Sequence, residues 1–304
     1  MDFGLTSDQQ MLSGAARQFL AAESGPKAVR QIAEDAQGYS PELNRKVAAQ
    51  GWPGLLIPEA YGGLGLTMLD AAVLLTELGR FLTPVPFFSS SVLATSLIVA
   101  AGTAAQKKAW LPRLASGEIT ATVAWLEDGE RFDPAGVTLK ARRARDKLRL
   151  SGSKLFVLDA QLADVLVVAV RTGSGSAASG ISLLLVQKDS PGLALTPLPG
   201  IDRTRRAFEV KFDDVVVPKD RLLGAEGKAW RHLEKLLDTA SVALAAESQG
   251  GAERALEMAV EYSKVREQFG RPIGSFQAVK HMCAEMLLRS QQASVGAADA
   301  ATAT

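Results

Sequence analysis

The sequence predicts an α+β protein in which a helical domain, an antiparallel β-barrel and a helical bundle follow one another along the chain. The spacing of hydrophobic residues is helical at first, changes to alternation, and becomes helical again after Gly224. The predicted strands lie close together with no helices between them. The 304 residues, 47% of them hydrophobic, allow a sizeable core and at least two layers or domains. We therefore predict domains at residues 1–115, 116–224 and 225–304.

Helix signals mark the first domain. Thr6 and Gln9 have the spacing of a capping box ahead of a periodic apolar segment. Ala71–Leu82 is a second apolar helix pattern, which Pro84 would end. The segment AQKKAWLPRLASGE predicts a third helix that ends near Gly117.

Six segments predict the strands of the second domain. These are ITATVAWLE, GVTLKARR, KLRLSGSKLFVLD, ADVLVVAV, GISLLLVQK and AFEVKFDDVVVP. Several alternate between apolar and polar residues, whereas Val165–Val170 is a continuous apolar run typical of a strand buried on both faces. Short strands in succession favour an antiparallel barrel or sandwich over a doubly wound sheet, and a barrel is the predicted form.

The third domain shows two helical stripes separated by Gly270 and Pro272. The residues of the stripes are Ala252, Ala255, Leu256, Ala259 and Val260, followed by Val279, Met282, Cys283 and Met286. The final segment SVGAADAATAT has only weak helix-stop signals, so we interpret this bundle as truncated.

Composition narrows the class of protein. A net charge of +1 gives no general attraction to nucleic acid or membrane surfaces. The lone Cys283 cannot form an internal disulfide, the polar start is unlike a signal peptide, and no apolar run reaches the length of a membrane span. His281 has no second histidine or cysteine at ligand spacing. We expect a cytoplasmic protein without a metal site.

The segment REQFGRPIGSFQ between the last two helices carries groups suited to a dinucleotide. Arg266 offers a planar fork of donors for a pyrophosphate, and Phe269 offers a flat apolar face. Gln268 and Gln277 can both donate and accept hydrogen bonds. Ser275 could cap the next helix. The alternative interpretation is an ordinary helix–helix corner with a solvated arginine.

The segment YSKVREQFGRPIGSFQAVKHMCAEM resembles the signature of the acyl-CoA dehydrogenases, flavoproteins that desaturate acyl-CoA thioesters. Two further segments resemble the same family: GWPGLLIPEAYGGLGLTMLDAAVLLTELGR in the first domain and FDDVVVPKDRLLGAEGKAW at the exit from the second. The family's Pro-Glu-x-x-Gly-Gly residues match Pro58, Glu59, Gly62 and Gly63. The helix–barrel–helix order agrees as well.

The resemblance implies FAD as cofactor and acyl-CoA as substrate. A carboxylate would take the α-proton and FAD the β-hydride, with an electron-transfer flavoprotein or similar acceptor as partner. Arg266, Gln268, Phe269 and Gln277 would contact the ADP half of a FAD held mostly by a neighbouring subunit. That implies a homo- or hetero-oligomer, in fatty acid or sterol side-chain β-oxidation.

Several positions depart from the family pattern beside the flavin ring. Leu126 stands where a threonine is usual, next to a retained Glu127, which the resemblance implies is a cofactor-binding residue. Phe156-Val157-Leu158 replaces a Trp-Ile-Thr strand, so Phe156 is the expected aromatic contact. In a helix that lines the acyl site, Asp238 is retained while Ser241 replaces an arginine; both are expected to line the substrate site.

The catalytic base is the largest departure from the family. Most members carry it beyond the last residue of this chain, and a minority carry it at the position that matches Ala240. Glu247 lies seven residues further on the same predicted helix face, about two turns or ~10 Å along the axis. Glu247 is therefore the candidate base, with a surface glutamate as the alternative.

The departures also support a second hypothesis from another class. The chain could be a non-catalytic partner subunit that completes the FAD site of a catalytic homologue, because its ADP-side residues are kept while its ring-side residues are changed. A third hypothesis, a helical scaffold without flavin, requires the resemblance to be a relic.

Overall fold

The computed structural model describes residues 4–129, 131–174 and 177–304, which form two compact units. The helical unit consists of Met1–Arg30, Met68–Thr83 and Ser241–Thr304, and the mixed unit consists of Gln31–Thr67 and Pro84–Ala240. The helices are α1 Ser7–Glu23, α2 Pro26–Glu34, α3 Pro41–Ala49, α4 Met68–Phe81, α5 Thr95–Ala101, α6 Ala104–Ala115, α7 Trp230–Val265 and α8 Gln277–Ala303. The strands are β1 Ala121–Ala124, β2 Ala141–Ala144, β3 Lys147–Leu158, β4 Val165–Arg171, β5 Ile181–Gln187, β6 Leu193–Pro197, β7 Ala207–Pro218, β8 Leu222–Leu223, β9 Glu267–Gln268 and β10 Arg271–Pro272.

The order of helices, strands and helices predicted from the sequence is confirmed. The three-part division at residues 115 and 224 stays a prediction. Within the described residues, no helix combines the length and the apolar character needed to cross a bilayer.

The helical unit begins at the predicted capping box. The Thr6 hydroxyl accepts the Gln9 N–H at 3.3 Å, and the Gln9 side chain accepts the Thr6 N–H at 3.1 Å. Buried Glu77 of α4 joins α4 to α1, because it accepts hydrogen bonds from the Ser13 hydroxyl and from two nitrogens of Arg17. These charge-assisted bonds satisfy a carboxylate that is only 1% exposed.

Two glycines allow α4 and α7 to approach closely in the helical unit. A Cβ on Gly79 would lie 1.9 Å from the carbonyl oxygen of Glu247, and a Cβ on Gly250 would lie 1.8 Å from that of Thr76. The Thr76 hydroxyl also donates to the Ala246 carbonyl at 3.2 Å. The crossing therefore depends on the absence of side chains at these two positions.

The barrel prediction is not confirmed. Among the described residues the strands of the mixed unit form two separate four-stranded sheets, ordered β1-β4-β5-β8 and β2-β3-β7-β6. The β1–β4 pair is parallel, whereas the other neighbours in both sheets are antiparallel. The first sheet has both faces covered, which is a sandwich-like arrangement and not a closed ring.

The central strand β4 shows why one predicted segment lacks alternation. Val165, Val167 and Ala169 pack into a cluster with residues of α5, α6 and α7. Leu166 and Val168 pack on the other face, in a cluster with residues of the second sheet. Since both faces of β4 meet apolar neighbours, every residue of this strand is buried, as the continuous run predicted.

Two elements of the mixed unit were not predicted from the sequence. Phe87–Ala94 is a buried π-helical segment that contains three serines, and β6 is a largely exposed edge strand. The Ser89 hydroxyl donates to Asp159 at 2.6 Å, and the Ser90 hydroxyl accepts the Ala121 N–H at 3.0 Å. These long-range partners stabilise a segment whose serines do not favour a buried helix by themselves.

The predicted stripe on α8 lies largely on the surface of the described chain. Met282 and Met286 are exposed, and Cys283 is half-buried. The helix is confirmed, but its predicted apolar stripe is only partly buried.

Gly79→Ala should destabilise the protein by about 1–3 kcal/mol or more, because the new methyl group overlaps the Glu247 carbonyl. Gly296→Ala on α8 is the matched control, since a Cβ there meets nothing within 4 Å and alanine favours a helix. Urea unfolding of both variants measures the difference. Equal stability of the two variants would show that the helices do not cross at Gly79.

Candidate functional site

The corner predicted from the sequence is a small β-hairpin in the helical unit. Strands β9 and β10 pair antiparallel, with Arg271 opposite Gln268. The turn residues Phe269 and Gly270 have φ values of 55° and 75°. Glycine adopts this left-handed conformation readily, whereas a phenylalanine seldom does, so the turn imposes the conformation on Phe269. The Ile273 N–H then donates to the Arg266 carbonyl at 2.8 Å and closes the corner.

The predicted cofactor-binding side chains of the corner are on the surface. Arg266, Gln268 and Gln277 are exposed, and Phe269 is 92% exposed. Within the described part of the chain, the Arg266 guanidinium makes no hydrogen bond or ion pair. The Gln277 amide lies 3.4 Å from His281, one turn along α8. Four groups suited to a nucleotide therefore lie on one short segment with their polar atoms accessible.

An aromatic contact supports the start of α8. Phe269 packs edge-to-face on Phe276 at 6.1 Å, and the Arg271 guanidinium lies 4.3 Å from the centre of the Phe276 ring. Phe276 occupies the N-cap position without a side-chain hydrogen bond, so the predicted cap by Ser275 is wrong. Ser275 instead ends a short 3₁₀ turn, Ile273–Ser275.

The predicted ring-side residues lie together in the mixed unit. The Leu155 N–H donates to the Leu126 carbonyl at 2.8 Å. The Lys154 ammonium donates to the Trp125 carbonyl at 2.9 Å and to Glu127 at 2.5 Å. The segments around Leu126 and Leu155, about 30 residues apart in sequence, are therefore hydrogen-bonded side by side. The resemblance implies that both segments lie beside the flavin ring.

A β-bulge places Phe156 outward. Lys154 pairs with Val210 and Val157 pairs with Phe208, so two residues of β3 oppose one residue of β7. Phe156 sits in this bulge with φ of 52° and is 45% exposed. The exposed ring agrees with its predicted role as an aromatic contact, which stays a prediction.

The observed contacts of Glu127 are with groups of the protein itself. Its carboxylate is 7% exposed and accepts hydrogen bonds from Lys154, from the Thr138 N–H and hydroxyl, and from the Leu139 N–H. These donors occupy both oxygens. Direct contact of Glu127 with a cofactor stays a prediction, but its observed contacts are structural.

Lys154 was missed, and it is the buried partner of Glu127. Burial lowers the pKa of Lys154 to about 8, with Arg171 adding to the effect and Glu127 opposing it. Burial also raises the pKa of Glu127, but Lys154, Thr138 and Leu139 outweigh this and hold that pKa below its usual value. Both groups are therefore charged at pH 7. The signal was present in the sequence, because Lys154 shares the inward parity of Leu148 and Leu150 on β3.

A cleft of about 530 Å³ lies beside this ion pair. Its lining includes Glu127, Leu155, Arg142, Ser153 and Glu209. Leu155 and Ser153 project from the face of β3 opposite to Lys154. Strand β3 therefore contributes residues both to the cleft and to the buried ion pair.

The remaining predicted residues lie along α7. Asp238 and Ser241 are exposed, and Glu247 is half-buried where α7 crosses α4. Arg266 follows Glu247 by 19 residues, which is ~28 Å along a helix. Within this chain, therefore, Glu247 does not share a site with the corner. The catalytic role of Glu247 and the substrate roles of Asp238 and Ser241 stay predictions.

Models of acyl-CoA dehydrogenase domains match this chain in three consecutive parts. The N-terminal domain matches residues 6–118, the middle domain residues 122–215 and the C-terminal domain residues 227–304. The chain belongs to the acyl-CoA dehydrogenase family of FAD-dependent oxidoreductases.

Individual relatives agree with this assignment. The mitochondrial isobutyryl-CoA dehydrogenase of Dictyostelium discoideum is 34% identical over 289 residues, covering 93% of this chain and 68% of that protein. Butyryl-CoA dehydrogenase from Megasphaera elsdenii has a structure with a TM-score of 0.89 at 29% identity, covering 96% of this chain and 78% of that one. A structure of PigA with FAD and proline has a TM-score of 0.91 at 27% identity, covering 99% and 80%.

Glu127→Gln should lower the free energy of unfolding by about 3–5 kcal/mol at pH 7, because it leaves the Lys154 ammonium buried without its counter-charge. The lowered pKa of Glu127 adds to the free energy of unfolding above about pH 4.5, the ordinary pKa of a glutamate. This contribution is lost as the pH falls through the lowered pKa of Glu127 in the folded protein. The difference between wild type and variant should therefore shrink below pH 4.5 in urea unfolding.

Asp214→Asn is the control for the loss of a carboxylate. Asp214 pairs with Arg149 on the surface, so its amide variant should cost less than about 1 kcal/mol. If Glu127→Gln lowered the free energy of unfolding as little as Asp214→Asn does, the structural role of the buried pair would be contradicted.

Proposed function

We propose that this chain is a FAD-dependent acyl-CoA dehydrogenase that introduces an α,β double bond into an acyl-CoA thioester. The corner from Arg266 to Gln277 carries the proposal. It exposes a guanidinium, two amides and an almost fully exposed aromatic ring on a chain of this family. Exposure of a phenylalanine on a turn, in a conformation that phenylalanine seldom adopts, is explained if a flat ligand or partner covers it.

The residues of the corner fit the nucleotide end of FAD. Arg266 has the donor geometry for a pyrophosphate. Gln268 and Gln277 supply donors and acceptors for ribose or adenine, and Phe269 supplies a face for stacking. Because the Arg266 guanidinium makes no hydrogen bond or ion pair within the described residues, no existing ion pair has to break when it binds an anion.

The ring-side residues fit an apolar wall for the flavin. Phe156 presents an outward ring, while half-buried Leu126 and Leu158 replace hydrogen-bonding residues of the family pattern. When bound, FAD supplies the acceptor for the β-hydride. The chain's own part on this side is to hold the ring in place by packing and to exclude water, with fewer side-chain hydrogen bonds than the family pattern has.

Removal of the α-proton requires a base. The thioester acidifies the α-carbon, and a carboxylate within reach can then take the proton. Glu247 is the proposed base, with Asp238 and Ser241 as the proposed polar lining of the substrate site. The support is its place on α7, two turns beyond Ala240 and half-buried.

Substrate and partners are proposed at the level of class. The relatives named for isobutyryl-CoA and butyryl-CoA support a short acyl chain. An electron-transfer flavoprotein as acceptor, assembly with a second family member and a cytoplasmic location belong to the same proposal. Nothing in the comparisons favours a non-catalytic partner subunit.

Removing the corner's polar groups should release the cofactor. The Arg266→Ala/Gln277→Ala variant should bind FAD at least tenfold more weakly than wild type, because a charge-assisted contact and an amide contact are lost. Titration of the apoprotein, followed by quenching of FAD fluorescence, measures this affinity.

Arg289→Ala is the matched control for this titration, because Arg289 is an exposed arginine on α8 whose partner is Glu285. The control should bind FAD like wild type. Unchanged affinity in the double variant would refute the role of the corner, and a wild type without FAD affinity would refute the proposed function.

Glu247→Gln tests the base. The variant should retain FAD, but acyl-CoA should bleach its flavin absorbance at least 100-fold more slowly, because the amide cannot accept the α-proton. Glu234→Gln, an exposed glutamate earlier on α7, should react like wild type. Rapid bleaching by the Glu247→Gln variant would exclude Glu247 as the base.

A further inference from the structure

Phe156 occupies a backbone conformation that must be imposed by its surroundings. A φ of 52° in the middle of a strand is unusual for a bulky residue, and such strain persists only where neighbouring contacts hold it. The ring is also 45% exposed, so its own packing does not account for the conformation. The constraint must come from the residues on either side.

Both flanks of Phe156 are fixed. Lys154 and Val157 are each 0% exposed and pair with Val210 and Phe208 of β7. Between them, the Leu155 N–H donates to the Leu126 carbonyl and not to β7. The inward side chains before and after the bulge therefore leave an outward position for Phe156.

The Lys154 ammonium is the polar anchor of this bulge. It donates hydrogen bonds to the Trp125 carbonyl and to Glu127. Glu127 also accepts hydrogen bonds from the backbone N–H groups of Thr138 and Leu139. The Lys154–Glu127 contact thus joins three chain segments. Arg171, also buried, ties the intervening loop by donating to the Val137 carbonyl at 2.7 Å.

We propose that Lys154, through its contact with Glu127, is a positioning residue that holds the Phe156 ring against the flavin. This inference rests on the proposed function, since the flavin defines what the ring faces. Lys154 touches neither cofactor nor substrate in this role. In this role Glu127 acts by holding the Lys154 ammonium, and the two charges set the shape of one wall of the site.

A double-mutant cycle on FAD affinity tests the proposal. Its members are Phe156→Leu, the neutral pair Lys154→Met/Glu127→Gln, and all three substitutions together. The neutral pair removes both charges, so neither is left buried alone. Phe156→Leu and the neutral pair should each weaken FAD binding about three- to tenfold, the range expected for loss of an aromatic contact.

The variant with all three substitutions should have a FAD affinity within about twofold of that of the weaker-binding variant, Phe156→Leu or the neutral pair. The reason is that Lys154 affects FAD only through the Phe156 ring. The visible circular dichroism of bound FAD should change in the same way in Phe156→Leu and in the neutral pair. The proposal would be overturned if the loss of FAD affinity in the combined variant equalled the product of the two separate losses. An unchanged FAD affinity of the neutral pair would also overturn it. Absence of FAD binding in wild type would instead refute the function on which the proposal rests.

Hydrogen exchange in the apoprotein gives a readout that needs no cofactor. The Leu155 and Val157 amides should exchange at least tenfold faster in the neutral pair than in wild type, and at the wild-type rate in Phe156→Leu. Unchanged protection in the neutral pair would also overturn the proposal.

A milder variant covers the case in which the neutral pair does not fold. Thr138→Val removes one hydroxyl donor to Glu127 and leaves both charges in place. It should give smaller changes of the same sign in FAD affinity and in exchange, and no change in either would count against the anchor.

Discussion

One buried ammonium–carboxylate contact organises the mixed unit around the candidate ring-binding wall. Lys154 and Glu127 lie on different segments, and their charges are acceptable inside the protein only because each has several hydrogen-bond partners. Buried pairs of this kind add little net stability compared with apolar packing. Their effect here is geometric, because the bonds require the segments at Trp125, Thr138 and Lys154 to meet in a single arrangement.

The first sheet supplies the rigid base for that arrangement. Strand β4 is covered by helices on one face and by the second sheet on the other, so its position is set by packing on both sides. Strand β1 pairs with β4 in parallel and carries the chain directly to Leu126 and Glu127. The ring-side residues therefore follow immediately from a strand that cannot shift without opening two apolar clusters.

The helical unit uses different means to present its own residues. Its helices approach through glycines at positions 79 and 250 and through the Glu77–Arg17 contact, while the α7–α8 connection stays short and exposed. The hairpin of β9 and β10 needs little core, since its conformation is set by Gly270, Pro272 and local hydrogen bonds. A binding segment can be exposed in this way because its shape does not depend on burial.

Local chemistry explains what could be predicted of the fold and the site. The capping box at Thr6, the buried run Val165–Val170 and the turn at Gly270 depend on neighbouring residues, so their structures were correctly predicted. The corner residues could be proposed together for the same reason, since they share one short segment. Ser275 failed as a cap because the helix begins one residue later than its chemistry suggested.

The sequence by itself determined the order of helices and strands and membership of a flavoprotein family, and it located the corner that is proposed to bind a nucleotide. Only the tertiary structure decided that the strands form two sheets and that Glu127 pairs with Lys154. It also decided that a bulge turns Phe156 outward. These features depend on groups far apart in the chain, and on whether a charged side chain is enclosed. A hydrophobic pattern shows which residues prefer burial, but it does not show which partner makes the burial of a charge possible.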